Sequence, residues 1–119
     1  MSKNPQDVLL LTIDVAHPPR RPGEVEEDLL QAWNEVRNSS SLRVLKIIHG
    51  YGSTGKGGTT KETVRNWLFL NKGKFLRVIE GEEYNVYNEV VQEMRGDVGQ
   101  LADHDLNAGN QGMTIVWVR

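Results

Sequence analysis

The sequence predicts an α/β fold: a two-layer βαβα-ββ sandwich on a four-stranded mixed sheet, with an extra helix and loop before the last strand. Three observations predict it. Four short runs are rich in Val, Ile and Leu, apolar residues recur at helical spacing between them, and glycine- or serine-rich segments mark the exits. The chain has 119 residues, 38% hydrophobic and 25% charged, which suits one domain with a real core rather than a disordered segment. Residues 1–7 read as an N-terminal tail and 8–118 as a single domain carrying an insertion at about 82–107.

Val8 to Val15 is the first strand, an apolar run broken by Thr12 and Asp14, as in a strand covered on both faces. Val25, Leu29, Ala32, Trp33 and Val36 then form one helical stripe, with Pro22 near its start and Asn38-Ser39-Ser40-Ser41 as its exit. Leu42 to His49 is the second strand, built on Val44, Leu45, Ile47 and Ile48. A second helix is predicted from about Thr60 to Asn71, burying Val64, Trp67 and Leu68 and stopping at Gly73. Lys74 to Glu80 alternates as a third strand. Tyr84, Tyr87, Val90, Val91 and Met94 read as a third helix ending at Gly96, and residues 97–112 as a polar loop. Met113 to Val118 closes the chain with β-branched and aromatic residues. Trp33 and Trp67 fall on the buried stripes and read as core rather than as base-stacking platforms.

No apolar run approaches the roughly 18 residues of a membrane span. Leu9 to Leu11 lacks the basic flank and the small-residue cleavage site of a secretory signal. The absence of cysteine excludes disulfides, thiolate zinc sites and cysteine nucleophiles together. A cytoplasmic location and no membrane partner are the expectations. The net charge of −2 hides an asymmetry. Arg43 to Arg77 holds eight basic residues against the single acid Glu62, or +7, while the rest of the chain carries −9. A basic middle third inside an acidic protein suggests a local surface for a polyanion.

The most conspicuous motif is His49-Gly50-Tyr51-Gly52-Ser53-Thr54-Gly55-Lys56-Gly57-Gly58, which leaves a strand and leads into a helix. Amides in such a loop can converge on an anion at the positive end of the helix. Residues 50–56 nearly make a phosphate-binding loop, but Gly57 stands where a magnesium-binding Ser or Thr is needed. Gly50, Gly52 and Gly55 also satisfy a dinucleotide pattern, yet the larger doubly wound sheet it requires is missing.

A third reading covers nearly the whole chain. His49-Gly50-x-Gly52, the glycine-rich loop, then Lys61, Val64, Trp67 and Leu68 resemble the signature of the Smr (small MutS-related) domain. Ile13-Asp14-Val15 is similar to that family's first motif, and Gly109 to Val116 to its closing glycine-rich turn and strand. The resemblance implies a fold like the C-terminal domain of translation initiation factor three. It also implies DNA or RNA binding with endonuclease (hydrolase) activity that nicks DNA or cuts RNA, with Asp14 and His49 as catalytic residues. The sequence departs from the family at Ala16 and His17, where the first motif carries its histidine one position earlier, and at Thr60, where Leu is usual.

Asp14, His49 and Glu80 fall near the carboxyl ends of the first three strands, where open α/β sheets bind ligands if those strands are parallel. Two readings stand for each of the first two. Asp14 is a general base or metal ligand, or else caps the amides of the turn from Ala16 to Pro19. His49 protonates a leaving oxygen, or else braces the glycine loop. Gly50, Gly52, Gly55, Lys56, Gly57, Lys61, Arg65, Lys72 and Lys74 are the candidate nucleic-acid contacts. The cofactor stays open between Mg²⁺, Mn²⁺ and none. The alternative function is a catalytically silent module binding nucleic acid or the ribosome.

Overall fold

A computed structural model of the chain describes residues 9–51, 56–101 and 103–119, without the side chains of 56–58. Four strands, β1 (Leu10–Asp14), β2 (Val44–Ile48), β3 (Arg77–Glu80) and β4 (Met113–Trp117), form one sheet in the order β1-β2-β4-β3. β1 and β2 are parallel, and β4 is antiparallel to both β2 and β3. β3 therefore runs in the same direction as β1 and β2, but β4 lies between it and them. The carboxyl ends of the first three strands share one edge of the sheet, with the start of β4 inserted among them.

Helix α1 (Pro22–Asn38) starts where Pro22 cannot donate a backbone hydrogen bond and the Arg21 amide donates to Glu24 Oε1 at 3.2 Å. It ends at Ser39, whose hydroxyl accepts from the amides of Ser41 and Leu42. Its buried residues are the predicted stripe Val25, Leu29, Ala32, Trp33 and Val36. Helix α2 (Lys56–Leu70) begins before the predicted Thr60 and buries Val64, Trp67 and Leu68 as expected. The two helices pack on one sheet face against Leu45, Ile47, Val116 and Val118. A fully buried side chain of this size contributes about 1.5–3 kcal/mol, so this face is the main core. The α/β sandwich over a four-stranded mixed sheet is as predicted.

The third helix differs. Helix α3 spans Glu89–Val98, not the range from Tyr84 to Gly96. Asn88 is the reason: its side-chain oxygen accepts from the amides of Val90 and Val91, which fixes the first turn there. Tyr87 is left 87% exposed, while Tyr84 is buried ahead of the helix in a turn whose carbonyl accepts from the Asn107 amide. The third strand is also shorter than predicted, because Lys72–Lys74 forms a 3-10 turn.

The inserted segment covers the other face of the sheet. Val44, Ile79, Met113, Ile115 and Trp117 pack there against Tyr84, Val91, Met94, Val98 and Leu101. Residues 97–112, predicted as a polar loop, thus contribute core residues and a buried polar anchor. Lys46, 2% exposed, projects from β2 into this layer. Its ammonium lies 3.0 Å from both Asp103 carboxylate oxygens and also pairs with Asp105. Gly81 sits where no side chain fits: a Cβ there would lie 1.8 Å from the Asn110 carbonyl oxygen.

Candidate functional site

The common edge is tied together by backbone geometry. Asp14 ends β1 beside Ile48 at the end of β2, and Ile48 pairs with Met113 of β4. The amides of His49 and Gly50 both donate to the Gly112 carbonyl, at 2.9 and 3.0 Å. Gly50 takes φ +82°, a conformation that favours glycine, and a Cβ there would sit 3.9 Å from the Ala16 side chain. On the other side Lys61 donates from Nζ to the Gln111 carbonyl at 3.0 Å, and Arg65 pairs with Glu80 at 3.4 Å. The turn after β1, the start of the glycine loop, the turn before β4 and the outer face of α2 thus form one continuous edge.

Asp14 fills its turn-capping reading. Its Oδ1 accepts from the amides of Ala16 (2.9 Å) and His17 (3.0 Å). It also meets the His17 ring, with Nδ1 at 2.9 Å from Oδ2. Burial alone pushes the carboxyl up, but the hydrogen bonds from Ala16 and His17 outweigh it and hold the group below the usual range. Asp14 is therefore an acceptor, and His17 Nδ1 donates to it. The side chain of His17 is 72% exposed, which leaves Nε2 accessible from solvent.

His49 occupies a different environment. It is fully buried, with Nδ1 at 2.9 Å from the Gly50 carbonyl and Nε2 at 2.8 Å from the Thr114 hydroxyl. A carbonyl only accepts, so Nδ1 carries the proton and Nε2 accepts from Thr114. Burial depresses the pKa of His49 below its ordinary 6.5, with the charges of Lys61 and Arg65 acting in the same direction. The imidazole is neutral and both nitrogens are engaged, which is the bracing arrangement.

Of the candidate nucleic-acid contacts, Lys61 and Arg65 flank the His49–Gly112 junction. Lys72 and Lys74 lie beyond the C-terminal end of α2, over the Phe69 ring at 4.5 Å and the Trp33 ring at 4.7 Å. Gly52 and Gly55 lie outside the described residues, and Lys56 and Gly57 are described only as the backbone opening α2.

The donor set at Asp14 does not fit a Mg²⁺ or Mn²⁺ site. Such ions take several convergent oxygens, whereas the carboxylate here is committed to two amides and a ring N–H. Asp28 and Glu35 of α1 line the same cleft, of about 330 Å³, but Arg20 closes on Asp28. Among the described residues, three possible ligands come together at Asp103, His104 and Asp105. There the Lys46 ammonium already lies between the two carboxylates.

Sequence reasoning singled out His17 as a substitute for the motif histidine one position away but did not pair it with Asp14, and it missed the Lys46 cluster entirely. The three-residue spacing from Asp14 to His17 was a readable signal, since a carboxylate that caps a turn can reach a ring that far ahead. Nothing local signals that Asp103 and Asp105 return to Lys46. Comparison of the chain with models of protein families, with curated proteins and with solved structures finds no match. Among the described residues no helix is long and apolar enough to cross a membrane.

Proposed function

We propose that this chain is a nucleic-acid-binding domain that cleaves phosphodiester bonds at the Asp14 edge, with His17 rather than His49 as the proton-transfer group. The observation that carries the reading is the solvent-open Asp14–His17 pair beside Gly50, with Lys61 bound to the Gln111 carbonyl and Arg65 paired with Glu80 on the other side of the same sheet edge. Resemblance of the His49-Gly50-x-Gly52 segment to the Smr domain adds support.

The chemistry follows from the groups present. Asp14 holds the His17 imidazole in the tautomer with Nδ1 protonated, which keeps Nε2 as a base. On RNA, Nε2 takes the proton of a ribose 2′-hydroxyl; that oxygen forms a bond to phosphorus as the bond to the 5′-oxygen breaks. The leaving oxygen takes its proton from water or from the imidazolium. Lys61 and Arg65 offset the charge on the phosphate. No metal takes part in these steps. A chain without cysteine suits a reducing cytoplasmic compartment.

The burial of His49 with both nitrogens engaged favours a second reading, a catalytically silent module that binds nucleic acid or the ribosome. Cleavage of end-labelled RNA and nicking of DNA by Asp14→Asn and His17→Ala separate the two. Catalysis requires each variant to cut at least about 100-fold more slowly while binding persists. Binding without any cutting by the wild type leaves the silent module. Cutting unchanged in both variants removes Asp14 and His17 from the mechanism.

A further inference from the structure

We propose that the groove between α2 and β3 holds one unpaired nucleotide of a single strand that continues from the Asp14 edge, with its base stacked on Phe69. The inference rests on the nucleic-acid reading above and names its substrate class, a single strand rather than a duplex. Lys61, Arg65, Phe69 and Lys72 recur at intervals of four, four and three residues, so on a helix they fall in one stripe. The structure carries that stripe past the last turn of α2. Lys72, in the 3-10 turn that follows, holds its Nζ 4.5 Å from the centre of the Phe69 ring. The other end of the stripe is at the Asp14 edge, where Lys61 binds the Gln111 carbonyl. Phe69 lies eight residues on from Lys61, or about 12 Å along the helix axis. A stacked strand covers that distance with about three to four nucleotides.

The groove offers a surface for each part of a nucleotide. Leu68, Phe69 and Val78 line about 270 Å³, with Arg65, Lys72 and Glu80 at its margin. Phe69 is 67% exposed and Val78 40%, so the apolar wall opens to solvent. Two cations and one acid leave the margin with a net charge of +1. From Thr63 to Ile79 the chain has four cations and no acid. A base lying on the Phe69 ring meets the apolar wall, while the phosphates on either side of it meet Arg65 and Lys72. Past Lys72 the cations continue, because Lys74 and Arg37 stand over one Trp33 ring at 4.7 and 5.3 Å. A duplex keeps its bases stacked on one another, so it cannot place one here without breaking a pair.

The test is fluorescence anisotropy of the full chain with a single-stranded RNA of about twelve nucleotides and with the same sequence as a duplex. Wild type is compared with Phe69→Ala, Phe69→Trp and Lys72→Glu, each checked by circular dichroism. Phe69→Ala is expected to weaken single-strand binding at least about fivefold and to leave duplex binding within about twofold. Phe69→Trp keeps single-strand affinity within about threefold of wild type. Lys72→Glu weakens single-strand binding and flattens its salt dependence. The same strand with every base removed binds wild type and Phe69→Ala alike. Single-strand binding that falls in Lys61→Glu but is indifferent to Phe69→Ala overturns the groove and leaves the reading of the Asp14 edge standing. The expected binding pattern without any cutting keeps the groove and removes the catalytic reading. A wild type that binds no oligonucleotide overturns both. An equal loss on single strand and duplex in Phe69→Ala also overturns the proposal. So does a protein that ignores the single strand but shows Phe69-dependent binding to phosphatidylserine vesicles or to a second copy.

Discussion

Replacing Lys46 with methionine removes the one cation placed between two nearly buried carboxylates. Lys46 is 2% exposed, and the side chains of Asp103 and Asp105 are 8% and 12% exposed. Methionine matches the length of the lysine stem but leaves both acids without their ammonium partner. Removing one member of a buried pair costs about 3–5 kcal/mol. For a 119-residue domain, unfolding entropy near the midpoint is about 0.25 kcal/mol/K, so the melting temperature should fall by about 12–20 °C. Differential scanning calorimetry measures this directly. The acid limb supplies a second readout. Burial alone raises the Asp105 pKa, but hydrogen bonds from Lys46 and Asn110 outweigh it and hold the group below its ordinary value. Its stabilising contribution is therefore present above the unfolded-state pKa and lost as the pH falls through the folded one. The Lys46→Met variant should lose part of that acid sensitivity. The triple variant Lys46→Met/Asp103→Asn/Asp105→Asn should recover most of the loss, since no charge then stays buried and unpaired. A midpoint within about 3 °C of wild type in the single variant would refute the view that this cluster anchors the inserted segment.

Other perturbations read the edge of the sheet. His49 is held neutral by burial, so its folded pKa lies below 6.5; the unfolded chain then binds more protons, and stability falls as the pH drops below about 6.5. His49→Gln should flatten that part of the pH–stability curve, measured by urea unfolding at several pH values. Lys61→Glu with Arg65→Glu should weaken RNA or DNA binding, and neutralising each residue to Gln should lower the salt slope by about 0.7–0.9. Fluorescence anisotropy at graded salt checks this. An unchanged slope would mean that these cations do not meet phosphate. Gly81→Ala should destabilise by about 1–3 kcal/mol in chemical unfolding, because the added methyl collides with backbone carbonyl oxygens of Asn110 and Met113.

The α/β class, the helical stripes and the four strands follow from local pattern. Val25, Leu29, Ala32, Trp33 and Val36 repeat at helical spacing, and any helix built on them must bury that stripe. The same locality made Asp14 and His49 visible, because an acid ending an apolar strand and a histidine before a glycine loop are local anomalies. Their contrasting environments were not visible. Asp14 faces solvent beside His17, whereas His49 is enclosed by Thr114, which lies 65 residues away in sequence. Tertiary packing also decided the fate of residues 97–112. Their polarity reads as loop, yet Leu101 enters the core and Asp103 and Asp105 close on Lys46. Strand order was likewise a long-range matter. Antiparallel pairing on both sides of β4 separated β3 from β2 and left β3 at the edge. Periodicity reports which face of an element is buried; what lies against that face, and so whether a titratable group is open, braced or paired, depends on residues distant in sequence.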